Sequence, residues 1–105
     1  MISDCVTTLA FFRELRTRMM TLKTFVERII QNKANNYLYY RPDREGLVVV
    51  WKYNGKLILT WEECRPGDQF NEHLYTRDER YVFQEINELL DFLTAKGLGP
   101  KDFEP

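Results

Sequence analysis

Serine, histidine and cysteine, the side chains most used for covalent and proton-transfer chemistry, are nearly absent from this 105-residue chain. The single serine, Ser3, stands near the N-terminus, where a chain is expected to fray, and this argues against a serine nucleophile. Cys5 and Cys64 are too far apart for CxxC chemistry, and no secretory pattern opens the chain; reduced thiols in a cytoplasmic setting are the expectation. The five glycines are scattered, so no glycine-rich phosphate loop is present. No apolar run approaches the ~20 residues that span a bilayer, so no membrane partner is expected. Neither sign of charge dominates. Fifteen basic against sixteen acidic residues leave a net charge of −1, and no bulk field calls for nucleic acid.

What is present is apolar and aromatic. Hydrophobic residues make up 44% and aromatics 14%, which excludes a disordered chain. A chain of this length is one domain, residues 1–105, and buries about two thirds of its surface. The charge is unevenly placed. Residues 1–35 carry a balance of +3, residues 36–61 of +2, and residues 62–105 of −6. The acidic third either neutralises the basic part across the fold or faces a basic partner.

Residues 1–35 read as helical. Phe12, Leu15, Met19, Leu22, Val26 and Ile29 follow the alternating spacing of heptad a and d positions, and Cys5 and Thr8 extend the register backwards. One helix over residues 5–32 would be about 42 Å long, against a diameter of roughly 33 Å for a compact domain of this size. Either it breaks around residues 19–21, or it overhangs and pairs with a second copy. The second case places Met19, Leu22 and Val26 at a homodimer interface.

Residues 36–75 read as an antiparallel sheet. Tyr37 to Arg41 is rich in strand formers and ends at Pro42-Asp43. Leu47–Tyr53 and Lys56–Glu62 flank Asn54-Gly55, which supplies the positive φ angles of a type I′ turn. That turn fixes the register: Tyr53 faces Lys56, Trp51 faces Ile58, and Val49 faces Thr60. Leu47, Val49, Trp51 and Ile58 then share one face, while Val48, Val50, Leu57 and Leu59 share the other. Both faces are apolar over most of their length, with Glu62 on the first and Lys52 on the second, so both need cover. Phe70 to Tyr75 offers a short fourth strand.

Residues 76–97 read as a C-terminal helix, capped by Thr76-Arg77-Asp78-Glu79 and closed by Gly97, with a tail over 98–105. Its apolar stripe holds Val82, Phe83, Ile86, Leu89, Leu90 and Leu93, and Glu85, Glu88 and Asp91 lie outside it.

The fold expected is therefore α+β: an N-terminal helix, a three- to four-stranded antiparallel meander, and a C-terminal helix packed on the sheet. The function expected is non-enzymatic protein binding, by an inhibitor, an immunity or antitoxin-like protein or an assembly adaptor, with no cofactor and no metal. Glu85, Glu88, Asp91, Trp51 and Tyr39 are the candidate partner-binding residues. Two alternatives belong to other classes. Tyr37, Tyr39, Tyr40, Trp51, Tyr53 and Trp61 accompany Arg41, Arg44, Lys52 and Lys56, the composition of a single-stranded nucleic-acid platform. The Glu62–His73 stretch groups Cys64 and His73 with four carboxylates, the parts of a Cys/His enzyme, although its spacing matches no metal motif.

Overall fold

The computed structural model describes residues 19–105. In chain order these form helix α1 (Leu22–Ile30), strands β1 (Asn35–Arg41), β2 (Arg44–Tyr53), β3 (Lys56–Cys64) and β4 (Arg77–Phe83), and helix α2 (Ile86–Ala95). Single 3-10 turns lie at Glu72–Leu74 and Pro100–Asp102. The class is α+β, as the sequence implies. The four strands make one antiparallel meander in the order β1-β2-β3-β4, with a helix before it and a helix after it.

Helix α1 starts where its first turn is capped. Thr21 is extended (φ −80°, ψ 162°) and its side chain accepts the Thr24 amide at 3.1 Å. Residues 19–21 are not helical, so one unbroken helix over residues 5–32 is not formed. Cys5, Thr8, Phe12 and Leu15, the upstream members of the heptad stripe, lie outside the described residues. The helix ends in a Schellman motif: Asn32 takes φ 61°, its amide bonds to Ile29 O at 3.0 Å, and the Lys33 amide bonds to Arg28 O at 2.8 Å.

The central hairpin has the register its turn implies. Asn54 and Gly55 carry φ 50° and 76°, and Trp51 pairs with Ile58, Val49 with Thr60 and Val48 with Trp61. The C-terminal part requires correction. Residues 77–83 are strand β4 and not the start of the helix, and the fourth strand is not Phe70–Tyr75, which holds the 3-10 turn instead. Arg77, Glu79, Tyr81 and Phe83 point to the helix-covered face, opposite Glu63, Trp61, Leu59 and Leu57 of β3. Period-two alternation with a strand partner outweighs the cap signal at Thr76. The capping box sits nine residues later, between Glu85 and Glu88, where the Glu85 amide donates to Glu88 Oε1 at 3.1 Å. Val82 and Phe83 accordingly belong to β4, not to the helical stripe.

Both described helices lie on one face of the sheet. Phe25 and Ile29 of α1, and Leu89 and Leu93 of α2, pack with Val48, Val50, Leu57 and Leu59 from the strands beneath. Residues 98–105 are not a loose tail. Phe103 is 1% exposed and meets Phe25 edge to face, with ring centroids 5.3 Å apart. Glu104 exchanges two backbone hydrogen bonds with Asn36, at 2.8 and 2.6 Å, on the outer edge of β1. Asn35, buried completely, ties α1 to the sheet: its amide donates to Phe25 O at 3.1 Å and its carbonyl accepts Arg28 Nε at 2.8 Å.

Candidate binding surfaces

The second face of the sheet carries Leu38, Leu47, Val49, Trp51, Ile58 and Val82, and among the described residues no helix lies on it. Leu38 on β1 and Val82 on β4 are 55% and 50% exposed, so apolar surface reaches both outer strands. The inner residues shield one another: Ile58 is buried between its strand partners Trp51 and Val82. At one end of this face the chain between β3 and β4 folds over Cys64, and Leu38, Leu47, Glu62, Gln69 and Tyr75 line a shallow cavity of about 130 Å³ there. Phe70, on the same connection, is 91% exposed.

The helix-covered face ends in a polar groove of about 220 Å³, where Tyr37, Tyr39, Arg41, Arg44, Trp61, Glu63, Arg77, Lys96 and Leu98 converge. Tyr39 organises it. Its hydroxyl donates to Glu63 and accepts Trp61 Nε1–H at 2.9 Å, while Arg44 Nε donates to the same Glu63 oxygen at 3.1 Å. Arg77 lies over the Trp61 ring at 3.8 Å from its centroid and donates to Glu79 at 3.0 Å, and the Tyr81 hydroxyl also donates to Glu79. These two donors hold the Glu79 carboxyl below the usual carboxylate range, the Tyr81 bond contributing more than Arg77.

Burial, followed by the bond to Glu63, pushes the Tyr39 hydroxyl from 10 up to about 12. The folded chain thus holds that proton more tightly than the unfolded chain. The resulting stabilisation is complete below pH 10 and is lost as pH rises through about 12. Alkaline unfolding followed by circular dichroism is expected to show this loss in the wild-type chain. In Tyr39→Phe the decline over the same interval is expected to be smaller. Equal declines in the two proteins would contradict the assignment.

No protein-family model, curated protein or solved structure matches this chain.

The residues singled out from the sequence fall in different places. Trp51 is half-buried on the second face, whereas Tyr39 is buried on the helix-covered face. Tyr40 and Tyr53 point with Trp51, and Trp61 points with Tyr39, so the aromatics do not form one stacking platform. Glu85, Glu88 and Asp91 are exposed on α2, across the sheet from Trp51, and the first two are committed to the capping box. Met19 and Leu22 are 57% and 54% exposed, while Val26 packs partly on the core. The Cys64 thiol is buried, and burial followed by Glu45, Asp68 and Glu62 raises its pKa, the reverse of an activated nucleophile. His73 is exposed in the 3-10 turn. Among the described residues, no helix is long and apolar enough to cross a membrane and no three His, Cys, Asp or Glu side chains are grouped to hold a metal ion.

The exposure of Phe70 and the meeting of the four cations in one groove are not legible in the sequence. Phe70 stands in a stretch that reads as a strand, and Arg41, Arg44, Arg77 and Lys96 come from four separate elements whose meeting only tertiary structure reveals.

Proposed function

We propose that this chain is a small, non-enzymatic protein-binding protein whose contact surface is the second face of the sheet. One observation carries the reading: Leu38 and Val82, on the two outer strands, are joined through Leu47, Val49, Trp51 and Ile58 by an apolar band that crosses the sheet obliquely, with Glu62, Asp78 and Arg80 beside it on the same face. Soluble domains rarely leave such a patch unpartnered. Its centre holds a tryptophan, the residue type most enriched at binding hot spots. A second copy of the chain is the simplest partner, because two such faces packed about a two-fold axis make a sheet sandwich. The free, buried Cys64 accords with a cytoplasmic setting. An inhibitor or an assembly adaptor would use the same surface. The acidic outer side of α2 is a second contact for a basic partner, and Asp91 is the residue to reverse there, since Glu85 and Glu88 also serve the helix cap.

Sedimentation at micromolar concentration tests the proposal. The wild-type chain is expected at about twice its 12.7 kDa mass. Leu38→Glu with Val82→Glu is expected to return it to one mass. Both side chains are half-exposed, so stability should change by no more than about 1 kcal/mol. A wild-type monomer at every concentration would remove the dimer. A pull-down from the native host that recovers the same partners with the double variant would remove the face altogether.

A further inference from the structure

The groove on the helix-covered face concentrates positive charge in a chain whose C-terminal part is acidic. Arg41 ends β1, Arg44 begins β2, Arg77 begins β4 and Lys96 caps the C-terminal end of α2; all four line the groove. Its carboxylates are already engaged. Glu63 accepts from Tyr39 and Arg44, and Glu79 accepts from Tyr81 and Arg77. Two cations remain without a carboxylate among the described residues. Arg41 lies 5.2 Å from the Tyr39 ring centroid and donates only to the Tyr40 carbonyl, and Lys96 lies 5.5 Å from the Phe92 ring centroid. Arg77 adds to the deficit, because its Nε–H is buried with no acceptor. Asp43 also pairs with Arg44, at 3.3 Å, so the four cations outnumber the carboxylates Asp43, Glu63 and Glu79 by one, and the two rim cations Arg41 and Lys96 are each left to meet an oxygen of an incoming anion.

We propose that this groove is a binding site for a phosphomonoester dianion, which Arg41 and Lys96 contact from the rim while Arg44 and Arg77 supply the field behind them. The stack of Arg77 on Trp61 and the bond from Trp61 to Tyr39 hold the floor in place before the ligand arrives. A free small phosphomonoester and a phosphorylated side chain present the same group here. The site is on the opposite side of the sheet from the apolar patch and does not depend on it.

The test uses phenyl phosphate at low ionic strength in a phosphate-free buffer, followed by the two indole N–H signals in nitrogen-resolved NMR. The Trp61 indole, bonded to Tyr39 on the groove floor, is expected to shift saturably, while the Trp51 indole on the other face stays in place. Phenyl methyl phosphate, a monoanion, is expected to bind more weakly. Arg41→Gln with Lys96→Gln is expected to weaken phenyl phosphate about tenfold or more, with the urea midpoint unchanged because neither side chain is buried. A Trp61 signal that does not saturate, or an identical titration in the double variant, overturns the site. A capped phosphotyrosine amide separates the two sources. Binding about tenfold tighter than phenyl phosphate supports the site with a phosphorylated chain as ligand, and equal binding supports it with a small free phosphomonoester.

Discussion

Replacing Phe103 with alanine is expected to cost about 3–5 kcal/mol, although the residue stands third from the end of the sequence. Terminal residues usually tolerate change, because few are tied down. Phe103 differs in its burial and its neighbours. It is 1% exposed, meets Phe25 edge to face at 5.3 Å and lies 6.0 Å from the Tyr37 ring centroid, so it fills the space where α1 crosses the first strand. Truncation would leave a cavity bounded by a helix and a sheet that cannot both close on it. The chain arrives there through a defined path: Gly97 at φ 77° just after the Lys96 C-cap, the Pro100–Asp102 turn whose Asp102 carboxylate accepts the Gly99 amide at 2.9 Å, and then the paired backbone of Glu104. Urea unfolding checks the expectation. The midpoint should fall with the slope unchanged, since the surface exposed on unfolding stays nearly the same. A loss under about 1 kcal/mol would show that the core does not depend on this residue. Glu104→Ala is the control. It keeps the backbone bridge to Asn36 and should cost only a few tenths of a kcal/mol, as surface changes do.

The sequence made the middle of the fold legible and its two flanks less so, for a physical reason. Asn54-Gly55 adopts a backbone few other pairs can, so one local signal fixes nine cross-strand pairs at once. At the C-terminal boundary the one local signal points to the wrong residue. Thr76 to Glu79 fits the sequence pattern of a capping box, whereas Glu85, which caps the helix in the structure, is not a residue that pattern selects. The decision is made at long range. Arg77 and Glu79 point to the covered face, where charge looks misplaced until Trp61 is seen beneath the guanidinium and Tyr81 beside the carboxylate. A reading by hydrophobicity counts those two positions against a strand. Phe103 was missed for the mirror-image reason, as its neighbours are Gly, Pro and charged residues. Of the proposed surfaces, the apolar face follows from the hairpin register. The groove does not, because its cations come from four elements separated by up to half the chain.

Gly46→Ala is expected to be nearly as damaging as the loss of Phe103, at roughly 2–4 kcal/mol. Gly46 pairs directly with Tyr39 across β1 and β2, and the Tyr39 ring lies over its Cα. A methyl group built there would overlap Cζ and Oη of that ring. Normally the end of a tyrosine swings aside at small cost. This one is anchored: it is 7% exposed, and its hydroxyl joins Glu63 to Trp61, whose ring carries Arg77. Moving it would strip the Trp61 indole N–H of its acceptor and Glu63 of a donor inside the core, an unsatisfied state worth more than the bonds themselves. The cost therefore belongs to the pair Gly46–Tyr39 and not to glycine's backbone freedom, because Gly46 has no positive φ. A double-mutant cycle separates these causes. In a Tyr39→Ala background the obstacle is gone, and Gly46→Ala should become neutral or slightly stabilising, since alanine suits a strand interior better than glycine. The two single costs should then exceed the cost of the double variant by about 2 kcal/mol or more. If the costs simply add, the ring does not depend on that glycine.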